Sequence, residues 1–194
     1  MKKQKHLAKL VEEKTKEINI TAIRDFDGIW KKHILDSLEV SKIDLLDHEL
    51  SSGVSVLDLG TGGGFPGLPL AINYPNSKFT LLDSKKKKIL VVDEFVSSLE
   101  LNNVTTVWGR AEELTEYNDQ FDILVSRAVA YLPDLIEVSL PKIKPGGLLV
   151  FWKLNNNQEI EAAKMSNLKL IERYEYSLES GEAKDRAILV YKKI

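Results

Sequence analysis

An α/β fold around a doubly wound, mostly parallel sheet is what this sequence predicts, and three observations predict it. Short apolar runs alternate with longer stretches of helical periodicity through residues 54–152. The first run, Val54-Ser-Val-Leu-Asp-Leu59, passes straight into a glycine cluster, Gly60-Thr-Gly-Gly-Gly-Phe-Pro-Gly67. The second, Lys78-Phe-Thr-Leu-Leu-Asp83, closes on an acid. Helices between successive strands return the chain to the same edge, which gives parallel neighbours. The 194 residues can bury roughly 70 % of their unfolded surface without a staple. One compact unit is expected, with a helical annex over residues 1–50 and a ligand-binding domain over residues 51–194.

Each element follows from a local pattern. Residues 4–17 and 26–38 read as amphipathic helices, the second carrying Ile29, Trp30, His33, Ile34, Ser37 and Leu38 at helical spacing. A polar break is expected over 47–53, then the strand at 54–59 and a helix over 67–74. After the strand at 78–83, residues 85–100 place Ile89, Val92, Phe95, Val96 and Leu99 on one helical face. Strands are expected at 104–108 and 121–126, with a helix over 132–140 that Pro141 breaks. Pro145-Gly146-Gly147 reads as a turn into a fifth strand at 148–152. A polar helix near 159–165 precedes two strand-like runs, 168–176 and 187–191, separated by Ser180-Gly181. With no helix between them, these two form an antiparallel finish and bring the sheet to seven strands.

Composition excludes several chemistries. The chain has no cysteine, so thiol nucleophiles, disulfide redox work and cysteine-held zinc or iron–sulfur centres are ruled out. His6, His33 and His48 lack metal-ligand spacing, and no metal is expected. No apolar run approaches the ~20 residues of a membrane span, and no apolar signal core follows the basic N-terminus. A cytoplasmic protein with no membrane partner is the expectation. Residues 1–24 carry seven basic and three acidic side chains and residues 142–194 carry ten and seven, leaving −9 on residues 25–141 within an overall −2. Basic ends around an acidic middle suit contact with a polyanion, although surplus terminal lysines also serve solubility alone.

The glycine cluster is the strongest signal. Glycines at the end of a first strand let a ligand approach the backbone closely. Gly62-x-Gly64-x-x-Gly67 alone also fits a dinucleotide loop. Asp58, two residues before Gly60, would repel a pyrophosphate, yet suits a cationic ligand or a role in orienting the loop. Asp83 stands where an acid accepts from ribose hydroxyls. No second domain is apparent for a nicotinamide substrate. An adenosine ligand with a positive charge and no phosphate is S-adenosyl-L-methionine, and the fold is then the Rossmann-like class I fold of methyltransferases that use it.

The chain resembles the small-subunit ribosomal RNA methyltransferase G family, also called glucose-inhibited division protein B. The resemblance is carried by Asn19-Ile-Thr-Ala-Ile-Arg-Asp25, Trp30-Lys-Lys-His-Ile-Leu-Asp-Ser-Leu38, Asp58–Pro69, Leu82-Asp-Ser-Lys85, Gly109-Arg-Ala-Glu-Glu113, Ser126-Arg-Ala-Val-Ala130, Lys144-Pro-Gly-Gly147 and Arg186–Tyr191. It departs in lacking the tryptophan that commonly precedes the Asn-Leu-Thr-Ala stretch. The resemblance implies methylation of N7 of one guanine in small-subunit (16S) ribosomal RNA, with the RNA or a 30S-type subunit as partner. It further implies cofactor contacts at Gly60, Phe65, Ala111, Glu112 and Arg127. To these the sheet geometry adds Asp83, and the loop adds Asp58 and Gly62.

Guanine N7 is an unprotonated lone pair, so its methylation needs alignment rather than a base. The sequence agrees, holding no obvious catalytic dyad. The cysteine required for pyrimidine C5 methylation is absent, and so is the Asp/Asn-Pro-Pro-aromatic run of amino-group methylases. Arg127, after the fourth strand, is the candidate catalytic residue, for guanine O6, a phosphate or the cofactor carboxylate; a salt bridge to Asp122 or Asp134 is the structural alternative. His33 with Asp36 suits either RNA contact or a buried link between helix and sheet. Arg24, Arg110, Lys153 and Arg186 are further candidate RNA contacts, whereas Lys85–Lys88 reads as a solvated helix face and Trp30, Trp108 and Trp152 as core. A small-molecule methyltransferase and a non-catalytic RNA-binding assembly factor remain as alternatives, the intact loop and Asp83 opposing the latter. Nothing demands a dimer, and a monomer with no DNA partner is expected.

Overall fold

The computed structural model describes residues 1–127, 130–163, 167–178 and 184–194. Ala128-Val129 of the Ser-Arg-Ala-Val run, Met165 at the end of the expected polar helix, and the Ser180-Gly181 break lie outside the described residues.

Helix α1, Lys2–Glu17, buries Leu7, Ala8, Val11 and Thr15 along one stripe. Asp25 opens the next helical stretch by accepting from the Gly28 N–H at 2.8 Å. This stretch, α2, covers residues 26–38, and its middle, Trp30–Leu35, is a π-helical turn. The wider turn shifts the helical phase, so Ile29 and Ile34, five residues apart, are both buried while Leu35 is 40 % exposed. Asp36 and Ser37 share the buried face. Helix α3, Asp44–Ser51, occupies part of the expected polar break: Leu46 and Leu50, one turn apart, bury a face that the surrounding polar residues disguise.

Among the described residues seven strands follow: β1 (Ser55–Leu59), β2 (Lys78–Asp83), β3 (Val104–Trp108), β4 (Phe121–Ser126), β5 (Ile143–Leu154), β6 (Leu168–Tyr176) and β7 (Arg186–Lys193). They form one sheet in the order β3-β2-β1-β4-β5-β7-β6. Strands β1–β5 pair in parallel, and β7 runs antiparallel to both its neighbours, the antiparallel finish expected from the sequence. Helices α4 (Gly67–Asn73), α5 (Lys86–Ser98), α6 (Leu132–Ser139) and α7 (Asn157–Ala162) connect the strands. Alternate side chains feed two cores. Val56, Phe79, Leu81, Ile123 and Val150 face α1, α2, α4 and α5, whereas Leu57, Leu82, Leu124, Leu149 and Phe151 face α6 and α7. No helix among the described residues is long and apolar enough to cross a membrane.

Two local expectations need correction. Pro145-Gly146-Gly147 lies inside β5 as a bulge rather than before it as a turn: the register jumps from Phe121↔Ile143 to Ile123↔Leu148. Gly146 takes φ +79°, and Lys144 meets Asp122 at 2.7 Å across the bulge. Trp108 is not core but 56 % exposed, because β3 is the sheet's edge; its ring lies under the Lys86 ammonium at 4.8 Å. Trp152 is buried and Trp30 half-buried.

The strand order turns back between β1 and β4, and a crevice opens there at the carboxyl ends of the strands.

Candidate active site

Two carboxylates hold the glycine loop across that crevice. Asp58 Oδ2 accepts from the Thr61 hydroxyl at 2.6 Å and from the Gly67 N–H at 2.8 Å. A Cβ on Gly67 would stand 2.6 Å from that same oxygen, so only glycine permits the approach. Asp83 Oδ2 accepts from the Gly62 N–H at 2.9 Å and its Oδ1 from the Lys85 N–H at 2.8 Å. The Leu82 carbonyl takes the Gly60 and Thr61 N–H groups at 2.9 and 3.0 Å, tying the loop to β2.

Asp58 is wholly buried beneath the loop and, of its two suggested roles, its contacts are those of an orienting residue. Burial pushes its carboxyl up to about 7, against the opposing pull of the Thr61 and Gly67 hydrogen bonds.

A cavity of about 520 Å³ stands over the loop. Gly60, Asp83, Ala111 and Glu112, expected together from the sequence, all line it, with Leu82, Leu135 and Val138 as apolar walls. Gly62 joins through its bond to Asp83. Arg110, expected at RNA, lines this cavity too, as do Lys85 and Lys88, whose helix end turns toward the crevice rather than standing wholly in solvent. Gly60 adopts φ +74°, and a Cβ there would meet nothing within 4 Å. That open space beside a backbone bend is room for a ligand. Each Asp83 oxygen keeps a lone pair for a ribose hydroxyl, and the apolar walls suit a purine. The residues present therefore fit S-adenosyl-L-methionine.

Phe65, expected to offer the cofactor an apolar face, has its ring covered: His33 stacks on it with centroids 4.7 Å apart, and the Arg127 guanidinium lies 5.3 Å from its centroid. The reason is the π-helical turn of α2, which delivers His33 to the loop.

Arg127 is engaged by α2. Its NH1 donates to the Lys32 carbonyl and to Asp36 Oδ2, both at 2.9 Å, and its NH2 donates to His33 Nδ1 at 2.8 Å. Asp36 is thus its acidic partner, in place of the suggested Asp122, which holds Lys144 and Ser55, or Asp134. Asp36 is fully buried and is the centre of a network the sequence did not reveal. Its Oδ1 accepts from the Tyr176 hydroxyl at 2.6 Å and faces Arg186 NH1 at 3.5 Å, while its carbonyl accepts from the Trp152 indole at 2.9 Å. A polar pair on the apolar face of residues 26–38 was the available signal. His33 accordingly falls on the buried-link side of its two readings.

Arginine has no acceptor, so His33 Nδ1 carries no proton and Nε2–H donates to Thr21 Oγ1 at 2.7 Å. Burial, then the Arg127 charge, lowers its pKa to about 3.

These two shifts oppose each other. Asp58 supplies stability present below 3.8 and lost as pH rises to about 7. His33 supplies stability present above 6.5 and lost as pH falls toward about 3. Between them the unfolded chain trades one proton for the other, and the slopes offset. In His33→Gln, stability is expected to fall as pH rises from about 4 to 7; in Asp58→Asn it is expected to rise from about 4 to 6.5. Urea midpoints across that range decide it, and two variants that parallel the parent would refute the assignment.

A second cavity, of about 640 Å³, brings together Arg127, Lys153 and Arg186 with Tyr131, Glu159 and Tyr176. Arg24 is exposed between α1 and α2 and lines neither cavity.

The comparisons with known proteins agree with this geometry. Among solved structures, TrmN from Thermus thermophilus superposes with a TM-score of 0.66 at 17 % identity, over 81 % of this chain and 48 % of that one. A SAM dependent methyltransferase from Aquifex aeolicus gives 0.63 at 16 %, over 86 % and 93 %. At such identities the likeness is one of fold, the class I methyltransferase fold. Among sequences, ribosomal RNA small subunit methyltransferase G of Mycoplasma capricolum is 41 % identical over 191 residues, covering 95 % of this chain and 79 % of its own length. The protein of the same name from Lachnoclostridium phytofermentans is 37 % identical over 185 residues, covering 91 % and 74 %. The family model described as rRNA small subunit methyltransferase G matches residues 1–189. The chain belongs to the rRNA small subunit methyltransferase G family, a family of ribosomal RNA methyltransferases.

Proposed function

We propose that this protein transfers a methyl group from S-adenosyl-L-methionine to N7 of one guanine in small-subunit ribosomal RNA, by direct in-line displacement without a covalent enzyme intermediate. It does so as a cytoplasmic monomer. The observation that carries the reading is the cavity at the ends of β1 and β2, with Gly60 leaving open space and Asp83 at its rim, next to a second cavity rich in cations.

S-adenosyl-L-methionine supplies, when bound, an electrophilic methyl group on a sulfonium. Gly60, Asp83, Ala111 and Glu112 would hold it, and Gly62 and Asp58 would keep the loop in shape. The N7 lone pair needs no deprotonation, so this chain's residues have to bind, align and exclude water. Arg127, anchored to Asp36 and His33, keeps a fixed positive charge in the wall of the second cavity. Arg110 and Arg186, with Arg24 farther out, would supply the electrostatic attraction to RNA, while neutral His33 acts by holding Arg127 and Lys153 acts with its partner Glu159.

The test is transfer of labelled methyl from S-adenosyl-L-methionine to small ribosomal subunits from cells lacking this protein, with the modified nucleoside identified. The expected product is 7-methylguanosine at a single position. Label in another nucleoside, or none in RNA while the cofactor still binds, would overturn the substrate assignment.

A further inference from the structure

We propose that the second cavity receives the target base and that Glu159, paired with Lys153, reads it as guanine; this rests on the guanine reading above. The two cavities share the segment that follows β4. Arg127 and Tyr131 line one, Ala130 lines the other, and Lys153 Nζ donates to the Ala130 carbonyl at 2.7 Å. A base in the second cavity therefore lies against the wall of the glycine-loop cavity.

The inner part of that cavity carries a donor beside an acceptor. Lys153 and Glu159 meet at 2.5 Å, with side chains only 8 % and 14 % exposed. Glu159 Oε1 takes this ammonium and also the Leu132 N–H at 2.7 Å, which leaves Oε2 as an acceptor. Lys153 spends two of its three N–H bonds on Glu159 and Ala130, and the third remains.

Guanine matches that pattern along its Watson–Crick edge. Its O6 accepts from Lys153, while N1–H and the N2 amino group donate to Glu159 Oε2. Adenine sets an amino group against the ammonium and an unprotonated N1 against the carboxylate. Uracil sets its O2 where Glu159 needs a donor. Recognition on this edge leaves N7, on the adjoining Hoogsteen edge beside O6, free to face the shared wall. Tyr131, 51 % exposed, offers a face for stacking a base splayed out of its strand.

The experiment uses small subunits reconstituted from RNA carrying guanosine or inosine at the methylated position. Inosine lacks only the N2 amino group. For the unaltered protein, kcat/KM is expected to fall roughly tenfold or more from guanosine to inosine, the loss of one hydrogen bond to a charged group. In Glu159→Gln the amide oxygen stays on the Leu132 N–H and the amide nitrogen takes the place of Oε2, turning the acceptor into a donor. That variant is expected to lose at least tenfold on guanosine and to lose the preference for guanosine, with its affinity for S-adenosyl-L-methionine close to the parent's and its melting temperature lowered, because the Lys153 ammonium loses its counter-charge. Equal use of guanosine and inosine by the unaltered protein would overturn the assignment, whatever the variant's stability. So would equal losses on both substrates in Glu159→Gln, the mark of a structural role. A parent protein that forms no 7-methylguanosine would instead remove the functional reading, and this assignment with it.

Discussion

Gly60→Asp is expected to abolish S-adenosyl-L-methionine binding while the protein stays folded. The position has φ +74°, where a non-glycine residue is strained by about 1–2 kcal/mol and aspartate suffers less than most. Set against a stability of about 5–15 kcal/mol, that strain is affordable. No atom lies within 4 Å of the added Cβ, so nothing in the protein has to move. The space it enters is the cavity itself, and the new carboxylate stands beside Asp83 and Glu112 in the same lining. Volume thus acts against the ligand, and a ligand seated over the loop would also have to bury the new carboxylate beside two others. The affinity is expected to fall at least a hundredfold, about 2.7 kcal/mol or more. Gly60→Ala, which adds one methyl and no charge, should fall between the parent and Gly60→Asp. Calorimetric titration alongside thermal melting checks both halves. Binding by Gly60→Asp within threefold of the parent would place the cofactor elsewhere.

The largest loss of stability is expected from Asp36→Ala. The carboxylate is fully buried and holds Arg127 at 2.9 Å, the Tyr176 hydroxyl at 2.6 Å and, more loosely, Arg186 at 3.5 Å. Its removal strands the Arg127 guanidinium, whose side chain is only 15 % exposed, and leaves a buried phenol without its acceptor. Breaking a buried pair in this one-sided way costs about 3–5 kcal/mol, far more than an exposed pair is worth. For a chain of this length that is a fall in Tm of about 10 °C. Because the penalty comes from the charge left behind, Arg127→Met combined with Asp36→Ala should recover part of it. Urea denaturation of the two single variants and the double variant measures the coupling. A loss below about 1 kcal/mol for Asp36→Ala, or simple additivity in the double variant, would show that the pair is not the keystone its burial implies.

Much of the architecture was legible because its causes are local or short-range. The strands at β1, β2 and β4 read as continuous apolar runs since parallel strands here are covered on both faces. The antiparallel pairing of the last two strands followed from the lack of a helical pattern between their runs in the sequence. Helix α3 was hidden because only Leu46 and Leu50 mark its buried face among polar neighbours. The β5 bulge was misread because Pro-Gly-Gly reads alike in a turn and in a bulge, and only pairing with β4 separates the two. Trp108 looked like core because nothing in its own strand reveals that β3 has a single neighbour.

The site divides along the same line. By itself the sequence pointed to the glycine loop and to the carboxylates at the ends of β1 and β2, because neighbouring parallel strands bring their carboxyl ends to one edge of the sheet, and the family resemblance added Ala111 and Glu112 after β3, which line the same cavity. It could not determine which acid holds Arg127. Asp122 and Asp134 are near in the chain, but Asp36, 91 residues away, makes the pair. That choice depends on the phase of the π-helical turn and on which helix lies over the end of β4. Likewise Lys153 and Glu159 become a paired donor and acceptor only once α7 has folded back across β5. Contacts of this kind arise from packing, where a shift of one residue in helical phase turns a side chain into or out of the site, and only the tertiary structure decides them.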